Sequence, residues 1–232
     1  MALPGLLAVE EVSGHTLRLL VVGASGGTGR LLVEQALEAG HQVTAFVRDP
    51  ARLALTHASL RLVTGDVMRP GSIDPAVAGH DAVLCTLGAK PEGSDAHRGQ
   101  PGVPVCSVGT RHLIEAMQSS GVRRLVVESS APCGESAATG RWPAPWVVRT
   151  VLREVMADKE IQEAAVRASG LDWTIIRPVK MNDGRRTDRV HVGAGVRWGL
   201  ASKVSRADVA AVMLRTTADP QTIGTALTVA QG

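Results

Sequence analysis

The sequence predicts an α/β fold: a single-domain, doubly wound parallel sheet. Three observations carry that prediction. Short runs of Val, Ile and Leu alternate with helix-length segments almost to the end of the 232 residues. These runs are continuous in apolar residues, as expected of strands covered on both faces. The first of them, ending at Val22, passes directly into Gly23-Ala24-Ser25-Gly26-Gly27-Thr28-Gly29 and then a helix-compatible stretch. Strand, glycine turn and helix in that order are the first half of a nucleotide-binding α/β unit.

Taken in order, the strands are expected at Leu17–Val22, Gln42–Val47, Leu60–Thr64, Ala82–Thr86, Arg124–Glu128, Trp173–Arg177 and Ala226–Val229. Helices are expected between them. Arg30–Ala39 ends at Gly40, a residue suited to close a helix with positive φ. Val105–Ser120 ends at Gly121 in the same way. A long helix is expected from about Val147 to Ala168, stopping near Gly170. The last helix follows Ser205, a good N-cap, with Arg206-Ala207-Asp208 in its first turn. Right-handed crossovers then give the Rossmann strand order. Residues 1–16 read as an N-terminal extension and 17–232 as the NAD(P)-binding domain. Loops 88–104, 131–145 and 179–204 follow the fourth, fifth and sixth strands. They are expected at the carboxyl edge of the sheet, where such folds build their pockets.

Bulk composition narrows the function classes. Hydrophobic residues make up 44% and charged residues 20%, a globular balance. No apolar run approaches ~18 residues, so no membrane span is expected. The N-terminus has no basic segment and carries Glu10 and Glu11, unlike a signal peptide. Three widely spaced cysteines, Cys85, Cys106 and Cys133, form neither a disulfide framework nor a zinc pattern. A reducing, cytoplasmic location and no metal are expected. The net charge is only +3, from scattered arginines, and no basic helix or aromatic platform for nucleic acid is visible. The long helix shows no heptad seam, so a monomer or weak homodimer is expected.

The glycine loop points to a dinucleotide. Gly23 suits the turn, Gly26 leaves no Cβ in the way of a pyrophosphate, and Gly29 allows the helix to pack close to the sheet. The second strand ends at Arg48, where NAD-selecting chains place a carboxylate; Arg52 follows. Two guanidiniums there suit a 2′-phosphate, so NADP(H) is the expected cofactor. The alternative is that both arginines are solvated and Asp49 selects. Asp66 and Val67, after the third strand, suit an adenine amino group and ring, or else cap a turn. Leu87-Gly88 is small enough for a cofactor to cross the sheet edge.

Together the strings VVGASGGTG, VTAFVRDP, GDV, DAVLCTLGA, GTRHLIEAM, GVRRLVVESSA, ASGLDWTIIRP and VSRADVAAVML resemble the atypical short-chain dehydrogenase/reductases with one NAD(P)H-binding domain. Within that family the chain is similar to the biliverdin reductase B / flavin reductase type, with the NmrA-like proteins as wider relatives. The resemblance runs from about Arg18 to Val229. It implies a pyrophosphate loop of Gly23, Ser25, Gly26, Gly27, Thr28 and Gly29. It also implies 2′-phosphate contacts from Arg48 and Arg52, adenine contacts from Asp66 and Val67, and a further cofactor loop at Leu87 and Gly88. Ser130 matches a serine beside the nicotinamide. Lys180 stands where that type carries an active-site histidine, directly after Pro178 and Val179 at the strand end.

The chain contains no tyrosine. Carbonyl-reducing members use a Tyr-x-x-x-Lys pair, in which the phenol protonates the oxygen and the lysine lowers its pKa and holds the ribose. Lys159 has Val155 four residues before it. The ribose-holding half of the pair remains, unless Lys159 is a solvated helix lysine, and the acid is gone. A conjugated acceptor, such as a flavin, tetrapyrrole or quinone, takes hydride without a strong protein acid. Lys180, with Arg185, Arg186 and Arg189, suits an anionic acceptor, or is a solvated basic loop. Ser130 orients substrate or caps the backbone. Glu128, in an apolar strand two residues before Ser130, shares its face. It needs a partner such as Lys159 or Lys180, and is either a structural ion pair or a proton donor of raised pKa. Trp142, Trp146, Trp173 and Trp198 read as core or pocket wall, and His112 as structural. The expected function is an NADPH-dependent reductase of a small, aromatic or conjugated acceptor. The alternatives are a non-catalytic NADP(H)-binding sensor and a cofactor-retaining isomerase or epimerase.

Overall fold

Eight strands form one sheet, in the order β3 (Leu60–Thr64), β2 (Gln42–Val47), β1 (Arg18–Val22), β4 (Ala82–Cys85), β5 (Arg124–Glu128), β6 (Asp172–Pro178), β10 (Thr225–Gln231) and β8 (Val190–Gly193). The computed structural model describes residues 15–88 and 104–232. Most of the expected N-terminal extension and of loop 88–104 lies outside those residues. β1, β2, β3, β4, β5, β6 and β10 match the seven expected strands within a few residues at each end. These seven pair with one another in parallel, and β8 joins β10 antiparallel at the far edge. The order reverses between β1 and β4, which is the switch point where such sheets open a crevice.

The helices divide between the two faces. α1 (Gly27–Glu38) and α7 (Arg206–Ala218) cover one, with Leu19, Val21, Leu84, Val126 and Ile176 of the sheet turned to that side. α3 (Val105–Ser120) and α6 (Arg153–Ala168) cover the other, over Leu20, Val22, Val83, Leu125 and Ile175. The alternation of strand residues between two cores is the period-two geometry of a pleated strand. α3 ends at Gly121 with φ +74°, as its sequence requires.

Four expectations are corrected. The first helix begins at Gly27 rather than Arg30, because the glycine loop itself supplies the opening turn. The long helix is two helices, α5 (Ala144–Val151) and α6, broken at Leu152 with φ −113° and ψ +35°. α5 starts earlier than expected because Pro145 is tolerated in a first turn. It buries only Ala144, whereas α6 buries Met156, Asp158, Lys159, Gln162, Glu163 and Val166, so the direction of α6 is set by packing that α5 does not share. Loops 131–145 and 179–204 are not wholly irregular. The first holds α4 (Ser136–Thr139). The second holds β7 (Lys180–Asn182), β8 (Val190–Gly193) and β9 (Lys203–Ser205). Strands of three or four residues show no readable period; they form because β8 pairs with β10 and β7 with β9. A short α2 (Asp74–Val77) was likewise too brief for a periodic signal. Finally, β3 is an edge strand and is not covered on both faces; Leu62 is 38% exposed.

No helix among the described residues is long and apolar enough to cross a membrane. No group of His, Cys, Asp and Glu among them could hold a metal ion.

Candidate functional site

The site is built at the carboxyl ends of β1, β4, β5 and β6. Gly23 has φ +84°, a conformation open to glycine and costly for other residues. The N–H of Gly26 then donates to the Gly23 carbonyl at 2.9 Å, closing the turn. A Cβ at Gly29 would lie 2.2 Å from that same carbonyl oxygen, so helix and turn touch through bare backbone. α1 opens without a side-chain cap and without an acidic residue in its first turn. Uncapped N–H groups and the positive end of the helix dipole are what an anionic phosphate docks on. These features fit the pyrophosphate of a dinucleotide.

Thr86, which the sequence reading passed over, fastens this loop. Its Oγ1 lies 3.0 and 3.2 Å from the carbonyl oxygens of Val22 and Gly23, which share its single proton. A Cβ on Gly23 or Gly29 would come within 2.8 Å of that hydroxyl. One hydroxyl after β4 thus bonds the start of the turn and leaves no room for a side chain at Gly29. A threonine ending a strand carries no signal of such a role.

Thr28 points into the protein and donates to Glu128 Oε1 at 2.9 Å. Burial pushes the Glu128 carboxyl above the ordinary carboxylate range, against the pull of Lys159 and of the Thr28 hydrogen bond. Lys159 is itself buried, so the solvated alternative does not hold. Its ammonium donates to the Leu87 carbonyl at 2.7 Å and the Glu128 carbonyl at 2.6 Å, bridging the ends of β4 and β5. Desolvation lowers the Lys159 pKa, but interaction with the Cys106 side chain and the Glu128 carboxyl group outweighs it and the net shift is upward. The carboxylate of Glu128 is thus hydrogen-bonded by Thr28, and Lys159 meets that residue through its carbonyl. Next to Lys159, the Asp158 carboxylate accepts from the N–H groups of Cys106 and Ser107, both at 2.9 Å. It caps α3 from across the fold, a tertiary cap with no sequence signature.

β5 ends at Glu128, and the N–H groups of Ser129 and Ala131 still donate to the Ile176 and Pro178 carbonyls at 2.7 and 3.0 Å, so the next residues stay beside β6. Ser129 Oγ donates to Glu163 at 2.6 Å, and the half-buried Ser130 donates to the Ala131 carbonyl. Glu163 also pairs with the fully buried Arg177, whose guanidinium reaches Glu135 as well. This ion network underlies the loop that starts at Ala131.

At the far end of the crevice, Arg48 is exposed at the end of β2 and Arg52 is half-buried. Asp49 accepts from the Ala51 N–H at 3.0 Å, capping the short turn Pro50–Arg52. Asp66 accepts from Met68 N–H with Oδ1, a turn-capping role. Val67 is buried against Gly109, and its carbonyl accepts from His112. Leu87 is buried, Gly88 is exposed, and Pro178 ends β6. Lys180 is exposed, and its register partner across the β7–β9 pair is the exposed Lys203. Two ammonium groups side by side raise the local positive potential.

The tryptophans divide. Trp198 is buried and donates to the Ser136 carbonyl, and Trp173 is half-buried beneath Arg167. Trp142 and Trp146 are 87% and 65% exposed, so neither is core. Trp142 lines an open groove of about 470 Å³ together with Arg141, Arg197 and Leu200. A wider cleft of about 590 Å³ lies at the amino ends of β1 to β3, opposite the glycine loop. The three cysteines are buried, and desolvation first of all raises Cys133 to about 11, consistent with inert thiols.

The sequence profile of a family described as NAD(P)H-binding matches residues 23–220. Among sequence relatives, the chain is 31% identical over 186 residues to the uncharacterized chloroplastic protein At2g34460 of Arabidopsis thaliana, covering 78% of this chain and 65% of that one. It is 33% identical over 162 residues to the photosystem II assembly factor Ycf39 of Synechocystis, covering 69% and 44%. The chain therefore spans less than two thirds of the length of these relatives. Among solved structures, an NAD-dependent epimerase/dehydratase-type protein from Bacillus halodurans superposes with a TM-score of 0.75 at 25% identity, covering 93% and 94% of the two chains. A short-chain dehydrogenase/reductase from Veillonella parvula, in complex with NADP, superposes at 0.73 with 17% identity over 93% and 94%. The latter shares the fold.

Proposed function

Because this chain belongs to the NAD(P)H-binding family, we propose that it is an NADPH-dependent reductase that delivers hydride to a conjugated acceptor of flavin, tetrapyrrole or quinone type. One observation carries the reading. There is no tyrosine, Val155 precedes Lys159 by one helical turn, and the Lys159 ammonium is engaged by two main-chain carbonyls. The phenol-driven protonation of a simple carbonyl is therefore missing, while hydride delivery to an acceptor that holds charge in its own π-system needs only proximity and a dry face. The cofactor, when bound, supplies the hydride. The glycine loop would hold its pyrophosphate and Arg48 its 2′-phosphate, with Asp66, Val67, Leu87, Gly88 and Pro178 along the crevice. Ser130 would stand beside the nicotinamide, and Lys180 with Lys203 would attract the anionic groups of a flavin phosphate or tetrapyrrole carboxylate.

The test is NADPH oxidation, followed at the nicotinamide absorbance, against FMN, FAD, riboflavin, biliverdin and quinones, with a simple aliphatic ketone as control. Turnover on a conjugated acceptor with none on the ketone is the expected result. Cofactor binding without turnover on any acceptor would replace this reading with a second one, a nucleotide-binding regulator. A specific observation favours that second reading. Glu128, Asp158 and Lys159, the strongest chemical groups near the crevice, are each hydrogen-bonded into the scaffold.

A further inference from the structure

We propose that Arg206, at the start of α7, is a ligand of the cofactor's diphosphate, brought to the glycine loop from a remote part of the chain. The inference rests on cofactor binding at that loop. Its first support is Gly27. A Cβ on this residue would lie 2.7 Å from Arg206 Cδ and 2.9 Å from its Nε. The arginine stem therefore lies against the opening turn of α1, in space that exists because residue 27 has no side chain.

The second support is how firmly Arg206 is held there. β7 and β9 pair in parallel with Asn182 opposite Ser205, so Asp183 and Arg206 are the residues that directly follow the two strands. Arg206 Nη1 donates to Asp183 Oδ1 at 2.6 Å. Ser205 caps α7 by accepting from Asp208 N–H, and the Asp208 carboxylate accepts from Thr187 N–H, Thr187 Oγ1 and Asp188 N–H. Strand pairing and cap together fix the loop that carries Asp183 to the helix that carries Arg206.

Charge completes the argument. α1 has no acidic residue in its first turn, so the incoming anion meets the helix dipole and the guanidinium together. Asp183 takes Nη1, and a guanidinium has five N–H donors in all. Asp183 is itself 87% exposed, so water screens its own charge.

A diphosphate is common to NADPH and NADH, whereas the 2′-phosphate belongs to NADPH alone. The test is therefore titration of nicotinamide fluorescence with both cofactors, on protein whose circular-dichroism melt shows it folded. Arg206→Gln is expected to weaken both about tenfold, with their ratio unchanged. Gly27→Ala is expected to weaken both severalfold by displacing the arginine, and to have no further effect in the Arg206→Gln background, since the two act as one unit. Should Arg206→Gln not fold, Arg206→Lys carries the same test, with a loss of about threefold for both cofactors. Affinities within twofold of wild type, or a loss confined to NADPH, would overturn the assignment. Wild-type protein that binds neither cofactor would instead overturn the cofactor reading itself, and this inference with it.

Discussion

The hydroxyl of Thr28 donates to the Glu128 carboxylate at 2.9 Å, tying the glycine loop to a buried acid at the end of β5. Burial raises the pKa of that acid above its ordinary 4.5, with Lys159 and Thr28 opposing the shift. A carboxyl with a raised folded-state pKa stabilises fully below its unfolded value, and that contribution is lost as pH rises through the folded value. Glu128→Gln keeps the shape and an acceptor for Thr28 but cannot ionise. Its Tm relative to wild type is expected to climb as pH rises from 5 to 8. A Tm difference that stays flat across that range would show that Glu128 does not titrate within it.

Gly29 and Gly23 meet through backbone alone, and a Cβ at residue 29 would sit 2.2 Å from the Gly23 carbonyl oxygen. Gly29→Ala is expected to open the turn and weaken NADPH at least about tenfold, since loop geometry rather than a lost contact is at stake. Equilibrium titration of nicotinamide fluorescence measures it. Affinity equal to wild type would mean that the loop relaxes without consequence.

Asp49 caps the turn with one carboxylate oxygen, and Arg48 beside it is exposed at the end of β2. Arg48→Gln is expected to weaken NADPH about tenfold and leave NADH within about twofold. Competition between the two cofactors reads this directly. An equal loss for both would remove Arg48 from the 2′-phosphate.

Asp158 caps α3 through two main-chain N–H groups at 2.9 Å. Asp158→Ala strands both donors and is expected to cost about 2 kcal/mol. Thermal melts should then fall by roughly 6 °C for a domain of this size. A shift under about 1 °C would show that water replaces the cap.

Arg177 and Glu163 are both buried and pair at 2.5 Å, with Ser129 on the same carboxylate. Arg177→Met leaves Glu163 buried without its countercharge and is expected to cost about 3–5 kcal/mol. Adding Glu163→Leu should recover part of that loss, because an apolar pair of similar volume needs no desolvation of charge. Urea denaturation of the two variants decides it, and a double variant no more stable than the single one would contradict the account.

Much of the fold was legible in the chain. Seven strands, the two helices closed by Gly40 and Gly121 and the switch point follow from local apolar runs and glycine punctuation, which are properties of neighbouring residues. The glycine loop and the end of β2 were readable for the same reason. The break at Leu152 and strands β7, β8 and β9 were not, since their formation depends on partners far along the chain. Within the site, the sequence singled out Glu128 and Lys159 as unusual but did not show where their polar atoms go.

By itself, then, the sequence determined the doubly wound sheet, the dinucleotide loop and the absence of any phenolic acid. Tertiary structure alone decided that Thr86 clamps the loop, that Lys159 bridges Leu87 and Glu128, that Asp158 caps α3 and that Arg206 lies against Gly27. The physical reason is distance along the chain. A turn or strand is encoded by residues a few positions apart, whereas each of these contacts joins groups tens of residues or more apart, and only packing of the sheet brings such groups within hydrogen-bonding reach.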